Sequence, residues 1–503
     1  MALSGGPATD TKKTPRSSVN RTALLLIAMM ALTAVAKLLG MLRTARLAAL
    51  FGVGMEAEAL AAAGRLPNLV FELLPAAAIS GCFMPVLGQK GTDKRGFTTG
   101  FGTIFLLFLT LIALLCRLLA APLTGVLFPG LSREATALTI DLFARYALTL
   151  IPMGGAAMLT ACCQAKGRYL IPPLAGLTAN GIELMTLYTV SDLSPKTVVT
   201  IRLVTLWLTC AILAYPFRRL RRLCPQRGLR PLKQAAKRLP AALATTVLLP
   251  ISLSAAMAAA SYEAGGTALF GYAAPLFAAA LGITVSGIVN YSFPKLAAEA
   301  DPAARKHRAT ACLVTVWVIS LPLALLLCLL APETVALLYR RGRMSGQETF
   351  AVARLLSIMA LALPFCVTEE YLGRLALITN RRKAALLPSI LGGIAVVILS
   401  NALRPLGMTG GAVAFLLCHV LSAVLQGYLL RSELSDSPLR ALPYLLWGLA
   451  ALCLVYRWAA RMLAPYNTAN PLLLPPTAVI LGGILYLTVC RFTLGRERSD
   501  PLP

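Results

Sequence analysis

Apolar residues run through this chain in blocks of roughly 20, each long enough to cross about 30 Å of hydrocarbon as a helix, with polar residues gathered between them. The pattern predicts about fourteen spans, near 22–48, 57–88, 100–120, 136–163, 169–190, 198–217, 240–261, 266–293, 309–331, 350–378, 384–402, 410–430, 441–461 and 470–490. Spans this close together leave no room for a large soluble domain, so the fold class is an all-α polytopic membrane protein. Prolines mark a repeat within the pattern. Phe83-Met84-Pro85-Val86-Leu87 ends the second span and Phe293-Pro294-Lys295-Leu296 the eighth. Pro152 and Pro364 lie in the fourth and tenth, while Pro172 and Pro388 open the fifth and eleventh, each pair about 210 residues apart. A repeat of six spans makes the two halves parallel, a pseudo-two-fold pair of six-helix lobes with a cavity between them. The expected organisation is a basic tail at 1–21, lobes at 22–217 and 240–431 joined by a basic linker at 218–239, two additional helices at 432–492, and a tail at 493–503.

The polar interruptions are densest between Leu32 and Gln89, where two apolar segments meet at a Gly-rich turn and carry Lys37, Arg43, Arg46, Glu58, Arg65 and Glu72. Charges that deep in a membrane helix are costly and normally face a protein interior or a wet cavity. Glu58, Arg65, Asn68 and Glu72 lie seven, three and four residues apart, on one stripe of the second helix. Pro67 and Pro75 can bend that helix around a site. Lys37 and Arg43 are six residues apart and point about 120° apart on a straight helix, so a bend at Gly40 is needed to aim both inward. The alternative is that they snorkel to head groups. Arg65 either neutralises Glu58 or Glu72 or contacts a ligand, and Asn68 either does the same or hydrogen-bonds between helices. Asp141 with Arg145, and Glu370 with Arg374, are i,i+4 ion pairs on apolar helices. Glu369 and Glu370 are candidates for gating or cation coupling. His419, alone in its span, reads as a packed side chain.

Composition sharpens the class. A mean hydropathy of +0.75 with 13% charged residues excludes an ordinary soluble domain. The net charge of +27 invites a nucleic-acid partner, but its distribution is topological. With the N-terminus cytoplasmic, that side holds about thirty Lys and Arg against about seven on the other. The run from Arg218 to Arg238 contains no acidic residue and no interleaved aromatics, so anionic membrane lipids are its expected partner and nucleic acid is not. The twelve cysteines form no C-x-x-C pair and read as small buried hydrophobes, not metal ligands. No nucleophile–base pair, phosphate-binding Gly-rich loop or nucleotide motif is evident, so neither an enzyme nor a cofactor is expected. Coupling falls to membrane potential or a monovalent cation gradient. Lys37, Arg43 and Arg46 favour an anionic lipid-linked cargo over a drug cation.

Leu38-Leu39-Gly40-Met41-Leu42-Arg43, Leu50-Phe51-Gly52-Val53-Gly54, Arg65-Leu66-Pro67-Asn68-Leu69 and Phe83-Met84-Pro85-Val86-Leu87 together resemble, in order and spacing, the opening of the MurJ (MviN) family. These are lipid II flippases of the multidrug/oligosaccharidyl-lipid/polysaccharide exporter superfamily. Further echoes run from Pro152 to Pro173 and from Leu338-Tyr339 to Pro388. The resemblance implies fourteen helices, two lobes around a cationic cavity that opens alternately to the two sides, and a groove for the lipid tail in the last two helices. It implies a multi-pass protein of the bacterial plasma membrane with both termini cytoplasmic, and lipid II or a related polyprenyl-pyrophosphate glycolipid as cargo. The cell-wall synthesis machinery is a further implied partner. Carried over residue by residue, it places Lys37, Arg43, Arg65 and Asn68 at the substrate and Glu58, Glu72, Glu370 and Arg374 in gating or ion pairs. Two positions depart from the family pattern. Phe71 stands where an Arg usually follows Leu-Pro-Asn-Leu-x, and Pro275 stands at a usually cationic position of the eighth helix. Another polyprenyl-linked oligosaccharide, or a non-transporting scaffold of the same fold, is the alternative.

Overall fold

The computed structural model describes residues 16–73, 94–190, 193–217, 247–285 and 298–435, with residues 79, 83, 289 and 296 and most of 445–457. The basic linker at 218–239, the motif ends at 84–87 and 293–295, and the span predicted at 470–490 lie outside the described residues. Every regular element described is helical. The first half comprises α1 (Arg16–Phe51), α2 (Met55–Leu73), α3 (Lys94–Leu118), a short α4 (Ala120–Leu127), α5 (Arg133–Tyr146), α6 (Leu150–Ala165), α7 (Ile171–Thr189) and α8 (Pro195–Ala214). The second comprises α9 (Leu248–Ala260), α10 (Gly266–Thr284), α11 (Pro302–Leu329), a short α12 (Ala331–Tyr339), α13 (Gly346–Ile378), α14 (Arg382–Ala402) and α15 (Gly407–Leu429).

The predicted repeat is visible in both starts and contacts. Each half has a long helix, a short one, and then a serine-capped helix. Ser132 accepts from the Ala135 amide, and Ser345 accepts from the Glu348 amide while Glu348 bonds back to Ser345, a capping box. Helix α2 packs on α5 as α10 packs on α13, and α1 packs on α7 as α9 packs on α14. Helix α8 lies against α6 and α7 as α15 lies against α13 and α14. The halves differ at their prolines. The fourth span is broken by a 3₁₀ turn at Ala147–Thr149, whereas the tenth runs through Pro364 as one helix. Among the described residues, eight helices are long and apolar enough to cross a membrane. Helix α2, with Glu56, Glu58, Arg65 and Glu72, is too charged to stand alone in lipid and is covered instead by protein.

Small residues let the halves meet. Ala59, Ala62 and Ala63 of α2 are fully buried, and a Cβ built on Gly271 of α10 would lie 3.0 Å from Ala61 Cβ. The seam is tightest at the end carrying the 52–54, 128–132, 261–265 and 340–345 turns. There the Tyr272 hydroxyl donates to the Gly52 carbonyl (2.6 Å) and the Tyr339 hydroxyl to the Tyr272 carbonyl (2.9 Å). Across the same end the Gly130 amide donates to Ser261 Oγ (3.1 Å) and the Arg343 amide to the Ala49 carbonyl (2.9 Å). Gly342, at φ 60°, passes directly over that Ala49 carbonyl, where a side chain has no room. The 340–343 segment is therefore docked through its backbone, while the Arg340, Arg341 and Arg343 side chains stay exposed.

Candidate functional site between the halves

Helix α1 is continuous through Gly40, so the angular separation of Lys37 and Arg43 persists and the two cations serve different neighbours. Arg43 turns into its own half. Its Nη1 lies 3.2 and 3.1 Å from the two carboxylate oxygens of Glu183 on α7, and Arg202 Nη1 on α8 lies 2.9 Å from Oε2 of the same residue. Glu183 is buried, and one carboxylate between two guanidinium groups leaves a net positive charge. Arg43 Nε is buried without a hydrogen-bond partner, a donor in reserve on that cation. Neighbouring Arg46 instead donates to the Leu187 carbonyl and stacks over Tyr188, 4.5 Å from its centroid.

Lys37 points the other way. A Cβ built on Gly282 of α10 would lie 2.6 Å from Lys37 Nζ, so the ammonium spans the gap between the halves where a glycine makes room. It is exposed and has no hydrogen bond or ion pair among the described residues.

Arg65 also crosses the seam, but as a buried tie. Its Nε donates to Ser254 Oγ (2.9 Å) and its Nη2 to the Pro250 carbonyl (2.7 Å), both on α9, and Nη2 pairs with Glu72 at 3.2 Å. Of the two roles open for Arg65, neutralising Glu72 is thus realised, together with a bond to α9 that the stripe on α2 could not reveal. Asn68, one turn on, is exposed and unpartnered among the described residues. Glu58 makes no ion pair among the described residues. It is buried at the start of α10, where the Gly265 and Thr267 amides turn toward its carboxylate and Oε1 has no partner. Gly265, at φ 80°, has no side chain to cap α10, and Glu58 supplies the charge that end favours.

In the second half Glu370 pairs with Arg374 at 2.6 Å as its spacing predicts. Asp141 is held by Arg145 (3.5 Å) and also by Lys196 (3.0 Å). His419 departs from the packed reading. Its Nδ1 lies 2.7 Å from Glu369 Oε2 and its Nε2 lies 3.0 Å from Ser252 Oγ. Sequence reasoning also missed Glu183, although it is the one acid within the 169–190 span and so carried the signal. Among the described residues no cluster of three or more His, Cys, Asp or Glu side chains could hold a metal ion.

A family model described as Lipid II flippase MurJ matches residues 47–469. The chain belongs to the lipid II flippase MurJ family. It is similar to the probable lipid II flippase MurJ of Rhizobium tropici, 26% identical over 352 residues, 65% of this chain. The match spans 65% of that relative's length, just under two thirds. Among solved structures, a lipid II flippase MurJ in an inward closed conformation has a TM-score of 0.76 at 16% identity, over 94% of this chain and 99% of that one. An inward-facing multidrug resistance MATE family transporter of the MOP superfamily has a TM-score of 0.61 at 14% identity, over 81% and 97%. These likenesses carry the MurJ fold. Phe71 is half-buried on α2 and Pro275 lies inside α10, so neither adds charge to the seam, whereas Lys37 and Arg65 reach across it.

Proposed function

We propose that this MurJ-family protein moves lipid II, a disaccharide-pentapeptide on a polyprenyl pyrophosphate, from the inner to the outer leaflet of the bacterial plasma membrane. The head group crosses between the halves while the polyprenyl chain stays in lipid, and the halves open alternately to the two sides. The observation that carries this reading is the Lys37 ammonium, unpaired among the described residues and lodged against Gly282 between the halves. An uncompensated cation in a membrane helix is expensive, and a pyrophosphate repays that cost through charge-assisted hydrogen bonds. The Arg43–Glu183–Arg202 triad adds net positive charge further along the same helix, α1. Asn68 is a polar contact for the sugars, and Arg65 and Glu58 act as ties that part and re-form as the halves move. Membrane potential or a monovalent cation gradient drives the cycle, and both termini and the basic linker lie on the cytoplasmic side.

Complementation tests the reading. In a bacterial host depleted of its own lipid II flippase, the wild-type chain is expected to restore growth and outer-leaflet lipid II, and membrane-inserted Lys37→Ala is expected not to. A well-inserted wild-type chain that restores neither would shift the cargo to another polyprenyl-linked oligosaccharide, a reading favoured by Phe71 and Pro275 at usually cationic positions.

A further inference from the structure

His419 of α15 has no exposed surface, yet both ring nitrogens are engaged, by Glu369 of α13 at 2.7 Å and by Ser252 of α9 at 3.0 Å. The Ser252 hydroxyl is also 3.0 Å from the Leu249 carbonyl. A hydroxyl has one proton to give and two lone pairs to accept with. When it donates to Nε2, the imidazole is neutral and Nδ1–H donates to the Glu369 carboxylate. When it rotates to donate to Leu249, it accepts from Nε2–H, and the ring is a cation held against that carboxylate. One rotor therefore satisfies both protonation states of a fully buried histidine, which simple packing does not require.

Two further features surround the cluster. Glu369 Oε1 is buried without a partner, and a cavity of about 70 Å³ touches Glu369, His419, Ser389 and Gln426, room enough for water to deliver a proton. The other titratable groups facing it are Cys366 and Glu370 from α13, the latter neutralised by Arg374, and Cys418 from α15. Helices α9, α10 and α14 face the cavity with Leu248, Leu281 and Ser389, which do not titrate. Ser252 and Ser254 are two residues apart, so they lie on nearly opposite faces of α9. One face holds the His419 cluster, and the other holds Arg65 of the first half at 2.9 Å.

We propose that Ser252, His419 and Glu369 form a proton-binding site in the second half, and that its state is passed through α9 to the Arg65 tie across the seam. One proton enters at Nε2, the Ser252 hydroxyl proton swings to the Leu249 carbonyl, and no other group is gained or lost. Calling this a step of transport rests on the flippase reading, but the site and its link to the seam do not.

The chain has two histidines, so ring ¹⁵N labelling of the full-length protein in nanodiscs, with His307→Gln to leave one signal, reads the site directly. On acidification the ring nitrogens are expected to pass from the neutral to the cationic pattern. Amide protection across 52–65, corrected for the intrinsic pH dependence of exchange, should change over the same pH range, and both His419→Gln and Glu369→Gln should abolish that change. Ser252→Ala retains His419 and Glu369 but leaves Nε2–H of the cation without an acceptor, so the cationic pattern should be less populated than in wild type at the same acidic pH. A ring that keeps one protonation state, or corrected seam protection that follows pH equally in His419→Gln, overturns the proposal. So does a seam that responds to sodium at fixed pH while the ring does not titrate. Neither readout uses lipid II, so failure here is distinguishable from failure of the cargo assignment.

Discussion

Glu183 and Lys37 show how two charges in neighbouring helices come to have opposite consequences for stability and function. Glu183 is buried between Arg43 and Arg202 at 2.9 to 3.2 Å, and removing one partner of a buried pair leaves an uncompensated charge. Glu183→Gln is therefore expected to cost about 3 kcal/mol, read as a lower melting temperature in detergent. Adding Arg43→Ala should recover part of that loss, because the two changes share one network. Lys37 has no partner among the described residues, so Lys37→Ala removes an uncompensated charge and should not lower the melting temperature, while losing complementation. Lys37→Arg should retain it. The charged positions of the first two helices were legible in the sequence, since lipid makes each one conspicuous. Their partners were not, because Glu183 lies 140 residues from Arg43 and Ser254 lies 189 from Arg65. His419 was misread for the same reason, its partners being on two other helices.

At the scale of elements, helix boundaries and the repeat follow from local chemistry that a sequence carries openly. Asp301 caps α11 through the Ala303 and Ala304 amides with Pro302 at its first position, and Ser132 and Ser345 start equivalent helices in the two halves. The start of α10 is different. Gly265 caps nothing, and the acid that complements this helix end comes from α2 of the other half. Glu58 stood out as an intramembrane charge, but only the packing of the halves shows that it serves a helix end and not an ion pair. Glu58→Ala is expected to cost about 1 kcal/mol, as for loss of an N-terminal cap, and to speed amide exchange over 266–269 by about fivefold with α13 unaffected. Equal acceleration in both helices would assign Glu58 to general stability instead.

For the whole molecule, the question is whether the seam that is closed at the 52–54 and 261–265 turns has to open. The contacts there are mostly hydrogen bonds to backbone over glycines, with Tyr272 reaching Gly52, and the one charge among them is Glu58 against the start of α10. Deeper in, the seam rests on Ala61 against Gly271, with Arg65 bonded to α9. If the halves rock about this surface, a covalent bridge across it must stop them. Cysteines at 61 and 271 would place their Cβ atoms about as close as a disulfide requires after a shift of under about 1 Å. Oxidised Ala61→Cys/Gly271→Cys protein in proteoliposomes is expected to lose lipid II translocation, and reductant to restore it, while either single variant stays active. Cross-linked protein that still translocates would mean that the head group passes without parting α2 from α10, and the path would then have to be sought elsewhere along α1.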